Sequence, residues 1–81
     1  MDSKIAAVSI LVSDRESAEQ LNDILHRYGD YIIGRMGIPY RAKGVNIICV
    51  AVDAPMDVIN ALTGKIGNLP GVSVKTACAA Q

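Results

Sequence analysis

The sequence has no tryptophan and no phenylalanine; Tyr28, Tyr31 and Tyr40 are its only aromatic residues. Its apolar content of 51% is therefore almost wholly aliphatic. Net charge is missing too, with eight basic residues against eight acidic ones. A stand-alone nucleic-acid binder draws its affinity from neutralised phosphates and shows a basic excess. No direct nucleic-acid binding is expected here, and the same balance argues against a role on membrane surfaces. No apolar run approaches the ~20 residues a membrane-crossing helix needs. Cys49 and Cys78 are the only cysteines, too few for a disulfide framework. Met1-Asp2-Ser3-Lys4 leads into an apolar stretch without the basic segment or small-residue cleavage site of a secretion signal. A cytoplasmic location fits these absences.

What is present is a short chain with a great deal to bury. Its 81 residues make room for one domain, 1–81, with a core over about residues 4–77. A body of this size hides only about 60–65% of the surface its unfolded chain exposes, and oligomerisation commonly supplies the rest.

Residues 4–12 are a nearly continuous apolar run, broken by Ser9, and read as a strand buried on both faces. Ser13 and Asp14 compete for the cap of a helix over 15–28, whose Ala18, Leu21, Leu25 and Tyr28 form one stripe with Ile24 beside it. Gly29 would end that helix in a left-handed conformation. Residues 30–38 predict a second strand weakened by Gly34 and Gly37 and followed by Pro39, features of an edge or a bulge. The segment 40–44 reads as a hairpin connection, and 45–52 as another strand apolar on both sides. A second helix opens at Asp53-Ala54-Pro55, with Pro55 in its first position and Asp53 and Asp57 in its first turn. Val58, Ile59, Leu62 and Ile66 form its stripe, and Gly67 and Asn68 its C-terminal cap. Residues 72–77 alternate as a half-exposed strand, and 78–81 form a frayed tail.

The order β-α-β-β-α-β with right-handed crossovers gives an α+β, ferredoxin-like βαββαβ sandwich. Its antiparallel sheet has strand order 4-1-3-2, and both helices lie on one face. Strands one and three should then be central and most apolar, two and four interrupted or polar, and the sequence agrees. Covering one face leaves the other bare. Ile5, Ala7 and Leu11 share one side of the first strand, and Ile47, Cys49 and Ala51 one side of the third. Neither side of these strands is polar. We therefore expect these six residues to form a subunit interface in a homo-oligomer, a dimer or a tetramer.

Around the hairpin, Arg35, Tyr40, Arg41 and Lys43 are the richest cluster of functional side chains and are the candidates for ligand or partner contact. The competing reading is a solvated hairpin whose charges protect a sheet edge. His26 falls near a helix C-terminus, where a cation suits the dipole, and Cys49 and Cys78 do not complete a metal-ligand set with it. No metal or cofactor is expected. Thr63-Gly64-Lys65 lies inside a helix and lacks the spacing of a phosphate loop; close helix packing accounts for Gly64. No nucleophile–base pair stands out, so no enzyme activity is expected.

Four segments carry a family resemblance: Asp14-Arg15-Glu16-Ser17; Gly29 through Tyr40, with its Ile32-Ile33-Gly34-Arg35-Met36-Gly37-Ile38-Pro39-Tyr40 string; Val52-Asp53-Ala54-Pro55; and Ala61 through Gly67. Together they resemble the iron-only hydrogenase system regulators over about residues 4–78. The resemblance implies an ACT-like domain, similar in fold to the C-terminal domain of nickel-responsive repressors. It also implies an oligomer, and an origin in anaerobic bacteria beside hydrogenase maturation proteins. Two departures limit it. Amino-acid-binding ACT domains carry a Pro-Gly-type turn where this chain has Ser13-Asp14-Arg15-Glu16. The paired histidines and DNA-binding arm of nickel-responsive repressors are missing. The function implied is a small regulatory module that binds a small molecule at a subunit interface. The alternative is a protein-binding scaffold or assembly partner in metalloenzyme maturation, without small-molecule sensing.

Overall fold

The computed structural model describes residues 2–79. Strand β1 (Lys4–Val12) leads into helix α1 (Arg15–Arg27), then come strands β2 (Ile32–Tyr40) and β3 (Val45–Ala54), helix α2 (Met56–Gly67) and strand β4 (Val72–Cys78). The four strands form one sheet in the order β2-β3-β1-β4, and every pairing is antiparallel. This is the expected order read from the other edge. The core lies on one face, where Ala6, Val8, Ile10 and Val12 of β1 and Val50, Val52 and Ala54 of β3 meet Leu21 and Leu25 of α1 and Ile59, Leu62 and Ile66 of α2. The other side of β1 is open in the single chain, its residues alternating exposed and buried, so the strand is not buried on both faces.

Local chemistry explains the boundaries. Asp14, not Ser13, caps α1: its carboxylate accepts a hydrogen bond from the Glu16 backbone N–H at 2.9 Å. Ser13 turns the other way, and its N–H and hydroxyl both donate to the Gly71 carbonyl, at 2.9 and 3.0 Å. Removing the cap with Asp14→Ala should cost about 1 kcal/mol, as helix caps generally do. Urea denaturation checks this, and an unchanged midpoint would mean the cap carries nothing.

Several expected boundaries move. Gly29 is not left-handed. The chain instead tightens into a 3-10 turn over Gly29–Tyr31, so Asp30 and Tyr31 precede β2 rather than belong to it. β2 consequently runs on through Pro39 and Tyr40. It is an edge strand with a register irregularity between Ile32 and Gly34, and proline is tolerated there because the outer edge needs no donor. Asp53 stays in β3 opposite Ile5, so only Asp57 joins the first turn of α2. Pro55 is the cap of α2, not its first helical residue. A Cβ on Gly64 would meet nothing within 4 Å, so close packing does not account for it. Cys78 is the last residue of β4, and the Ala79 N–H donates to the Ile5 carbonyl, which extends order into the expected frayed tail. The rest of that tail, residues 80 and 81, lies outside the described residues.

Ser17 is buried inside the first turn of α1. Its hydroxyl donates to the Pro70 carbonyl at 2.6 Å, so the polar group is satisfied by a loop far away in sequence.

Candidate functional site

Where β1 enters α1 and β2 turns into β3, the end of the sheet opens into a cleft of about 640 Å³. Its lining comes from Ser13, Asp14 and Arg15 after β1, from Tyr40 and Arg41 at the end of β2, and from Val45 and Asn46 at the start of β3. The turn over Arg41–Lys43 holds Arg41 in place by a 3-10 bend that Gly44 closes with a φ of +64°, a conformation that favours glycine. Two arginines and one aspartate line the cleft, and the Asp14 Oδ1 accepts the Glu16 N–H, so the charged lining residues carry one net positive charge. Planar guanidinium groups suit bidentate contact with carboxylates or phosphates. Tyr40 adds an exposed ring at the same place.

Only part of the expected cluster meets here. Tyr40 and Arg41 line the cleft. Arg35 does not; strand alternation turns it to the helix side, where it pairs across to Val50 and donates from Nη2 to Asn22 Oδ1 at 2.9 Å. There it lines a second, smaller groove of about 280 Å³ with residues of α1, β2 and β3. Lys43 lines neither opening. Arg15 belongs to the cleft and escaped the sequence reading. Its signal was electrostatic, a cation in the first helical position, where the dipole favours anions.

The helix-free face is the second feature. Register places Leu11 beside Ile47, Ser9 beside Cys49, Ala7 beside Ala51 and Ile5 beside Asp53. It also places Ile38 beside Ile47 and Met36 beside Cys49. The expected residues Ile5, Ala7, Leu11, Ile47, Cys49 and Ala51 thus share one surface, which β2 extends through Met36, 56% exposed, and Tyr40, 51% exposed. The extension could have been read from the even-numbered alternation of β2. Tyr40 and Val45 belong both to this face and to the cleft.

His26 is exposed near the end of α1, Cys49 is half-buried on the bare face and Cys78 is exposed on β4. Among the described residues, no group of three or more histidine, cysteine or acidic side chains could hold a metal ion. Among the same residues, no helix is long and apolar enough to cross a membrane.

A sequence profile of the TM1266-like family, described as "Iron-only hydrogenase system regulator, putative", matches residues 4–76. The chain belongs to this family. This TM1266-like chain is 31% identical to the TM1266 protein of Thermotoga maritima, whose solved structure superposes with a TM-score of 0.94 over 98% of this chain and 100% of that one. Two more distant structures share the fold alone. One is the C-terminal domain of the MgtC protein from Mycobacterium tuberculosis, with TM-score 0.76 and 9% identity over 95% of this chain and 88% of that one. The other is CPII, a nitrogen regulatory PII-like protein from Thiomonas intermedia K12 bound to ADP, AMP and bicarbonate, with TM-score 0.59 and 17% identity over 96% and 92%. No curated protein matches the TM1266-like chain.

Proposed function

We propose that this chain is a non-enzymatic, cytoplasmic regulatory module of the iron-only hydrogenase system, a homo-oligomer that binds a small anionic ligand in the sheet-end cleft. The observation that carries the ligand is the cleft itself, about 640 Å³ lined by Arg15, Arg41 and Tyr40. That volume lies within the ~300–1,000 Å³ typical of ligand pockets, and the cleft is open with a lining more polar than apolar, which suits a polar ligand. In this reading Arg41 and Arg15 pair with the anion and Tyr40 covers its apolar part. Lys43 on the adjoining turn adds attraction at longer range, and Arg35 fixes the edge strand by holding Asn22.

Thermal shift tests it, with inorganic phosphate, ADP and citrate as probes at millimolar concentration. At least one should raise the melting temperature, and the double variant Arg15→Ala, Arg41→Ala should abolish that rise. No response to any probe, or an equal response in the variant, counts against the ligand. The exposed edge of β2 favours a second reading, a scaffold for a maturation protein that adds a strand there. Co-purification of a maturation protein, lost on Met36→Pro, would favour it.

A further inference from the structure

We infer that the bare sheet face is where two copies of this chain meet, packed sheet on sheet, with β3 at the centre of the contact and β4 at its wet rim. The inference rests on the oligomeric part of the proposed function and adds its surface.

Three observations choose a second copy as the occupant. The first is the distribution of charge. Among the strand residues of this face, Asp53 at one end of β3 and Lys75 on β4 are the only charged ones. Everything between them on β2, β3 and β1 is apolar or small, including Met36, Ile38, Ile47, Cys49 and Leu11. An antiparallel sheet whose second face meets water alternates apolar with polar residues, and these three strands do not. β4 does: its residues on this side are Ser73, Lys75 and Ala77, the composition of a rim.

The second is area. Strands about 4.8 Å apart, rising about 3.3 Å per residue over nine residues, make a face on the order of 570 Å² before side-chain relief. Two such faces together bury on the order of 1,100 Å², which clears the ~1,000 Å² a specific interface needs and sits just under the ~1,200–2,000 Å² of standard ones. The third is self-complementarity. A two-fold contact needs one patch that fits itself, and a face of aliphatic side chains without central charge meets its own copy with no unpaired ion. A differently charged partner would find nothing on β1, β2 or β3 to recognise except Asp53.

The alternative assembly joins the edges of two sheets, and β3 separates the two. It is paired on both sides within the chain, so a charge on its outer face cannot touch an edge-to-edge contact. Sedimentation equilibrium of Ile47→Asp, Cys49→Asp and Ser73→Asp, each first shown by circular dichroism to keep the parent's folded signal, gives the test. The parent should self-associate at micromolar concentration. Ile47→Asp, or Cys49→Asp if the former misfolds, should weaken association at least tenfold, and Ser73→Asp should leave it within twofold. A monomeric parent at 100 μM overturns the inference, and so does an oligomer that both β3 variants leave intact. In the second case assembly stands and only its surface is wrong. Arg41-dependent binding of a probe in the cleft is read separately and survives either outcome.

Discussion

Ile10→Ala should lower stability by about 3–4 kcal/mol, within the ~2–5 kcal/mol range for truncating a buried isoleucine to alanine. Ile10 has no exposed surface and lies mid-strand in β1, between Ile48 of β3 and Val74 of β4. A domain of this length falls roughly 4–8 °C in melting temperature per kcal/mol, so the variant should melt well over 10 °C below the parent. Since total stability is on the order of 5–15 kcal/mol, much of the margin goes with one side chain. The neighbouring Leu11 gives the contrast. It is 48% exposed on the opposite face, and Leu11→Ala should cost the dissociated chain under about 1 kcal/mol. Urea denaturation of both variants at submicromolar concentration decides the matter. Equal losses there would mean that the two faces of β1 are buried alike and that the helix layer does not define the core.

Much of this architecture could be read from residue types. Interior strands apolar on both sides, one edge strand broken by Gly34, Gly37 and Pro39, the other carrying Ser73, Lys75 and Thr76, and stripes at Leu21–Leu25 and Ile59–Leu62–Ile66 point to the strand order and the helix faces. Which side of the central strands the helices cover was harder to read, because both sides are apolar. The difference is one of size: Ala7, Ser9, Cys49 and Ala51 face outward opposite Val8, Ile10, Val50 and Val52. Boundaries slipped where backbone geometry outweighs residue preference. Gly29 suits a left-handed cap, yet the chain tightens into a 3-10 turn instead and shifts β2 by two residues. The candidate site was half legible. Tyr40 and Arg41 stood out by type, but Arg35 was grouped with them although alternation along β2 sends it to the other face. Arg15 joins the cleft through the geometry of the β1–α1 corner. That corner depends on Gly71, 58 residues from Ser13, a distance over which local patterns carry no information.

Gly71 therefore carries the other large prediction. Its φ is +67°, and a Cβ there would stand 2.9 Å from Asp14 Cβ, 3.1 Å from Ser13 Oγ and 3.3 Å from the Asp14 backbone nitrogen. Two costs add in Gly71→Ala. A left-handed non-glycine residue costs about 1–2 kcal/mol, and forcing a methyl group into filled space typically costs another ~1–3 kcal/mol. Gly44 isolates the first cost, because its φ is +64° and its Cβ would meet nothing within 4 Å. Gly44→Ala should thus lose about 1–2 kcal/mol, from backbone conformation alone, and Gly71→Ala clearly more. The second loss reaches the cleft. The same corner holds the Ser13 bonds to the Gly71 carbonyl and the Ser17 bond to Pro70, and moving Asp14 moves Arg15 with it. Any probe that stabilises the parent should stabilise Gly71→Ala less, measured below the variant's own melting transition. Equal stability losses at the two glycines would show that the corner yields freely to a methyl group, and the contact between the β4 turn and the cap of α1 would then have no part in shaping the cleft.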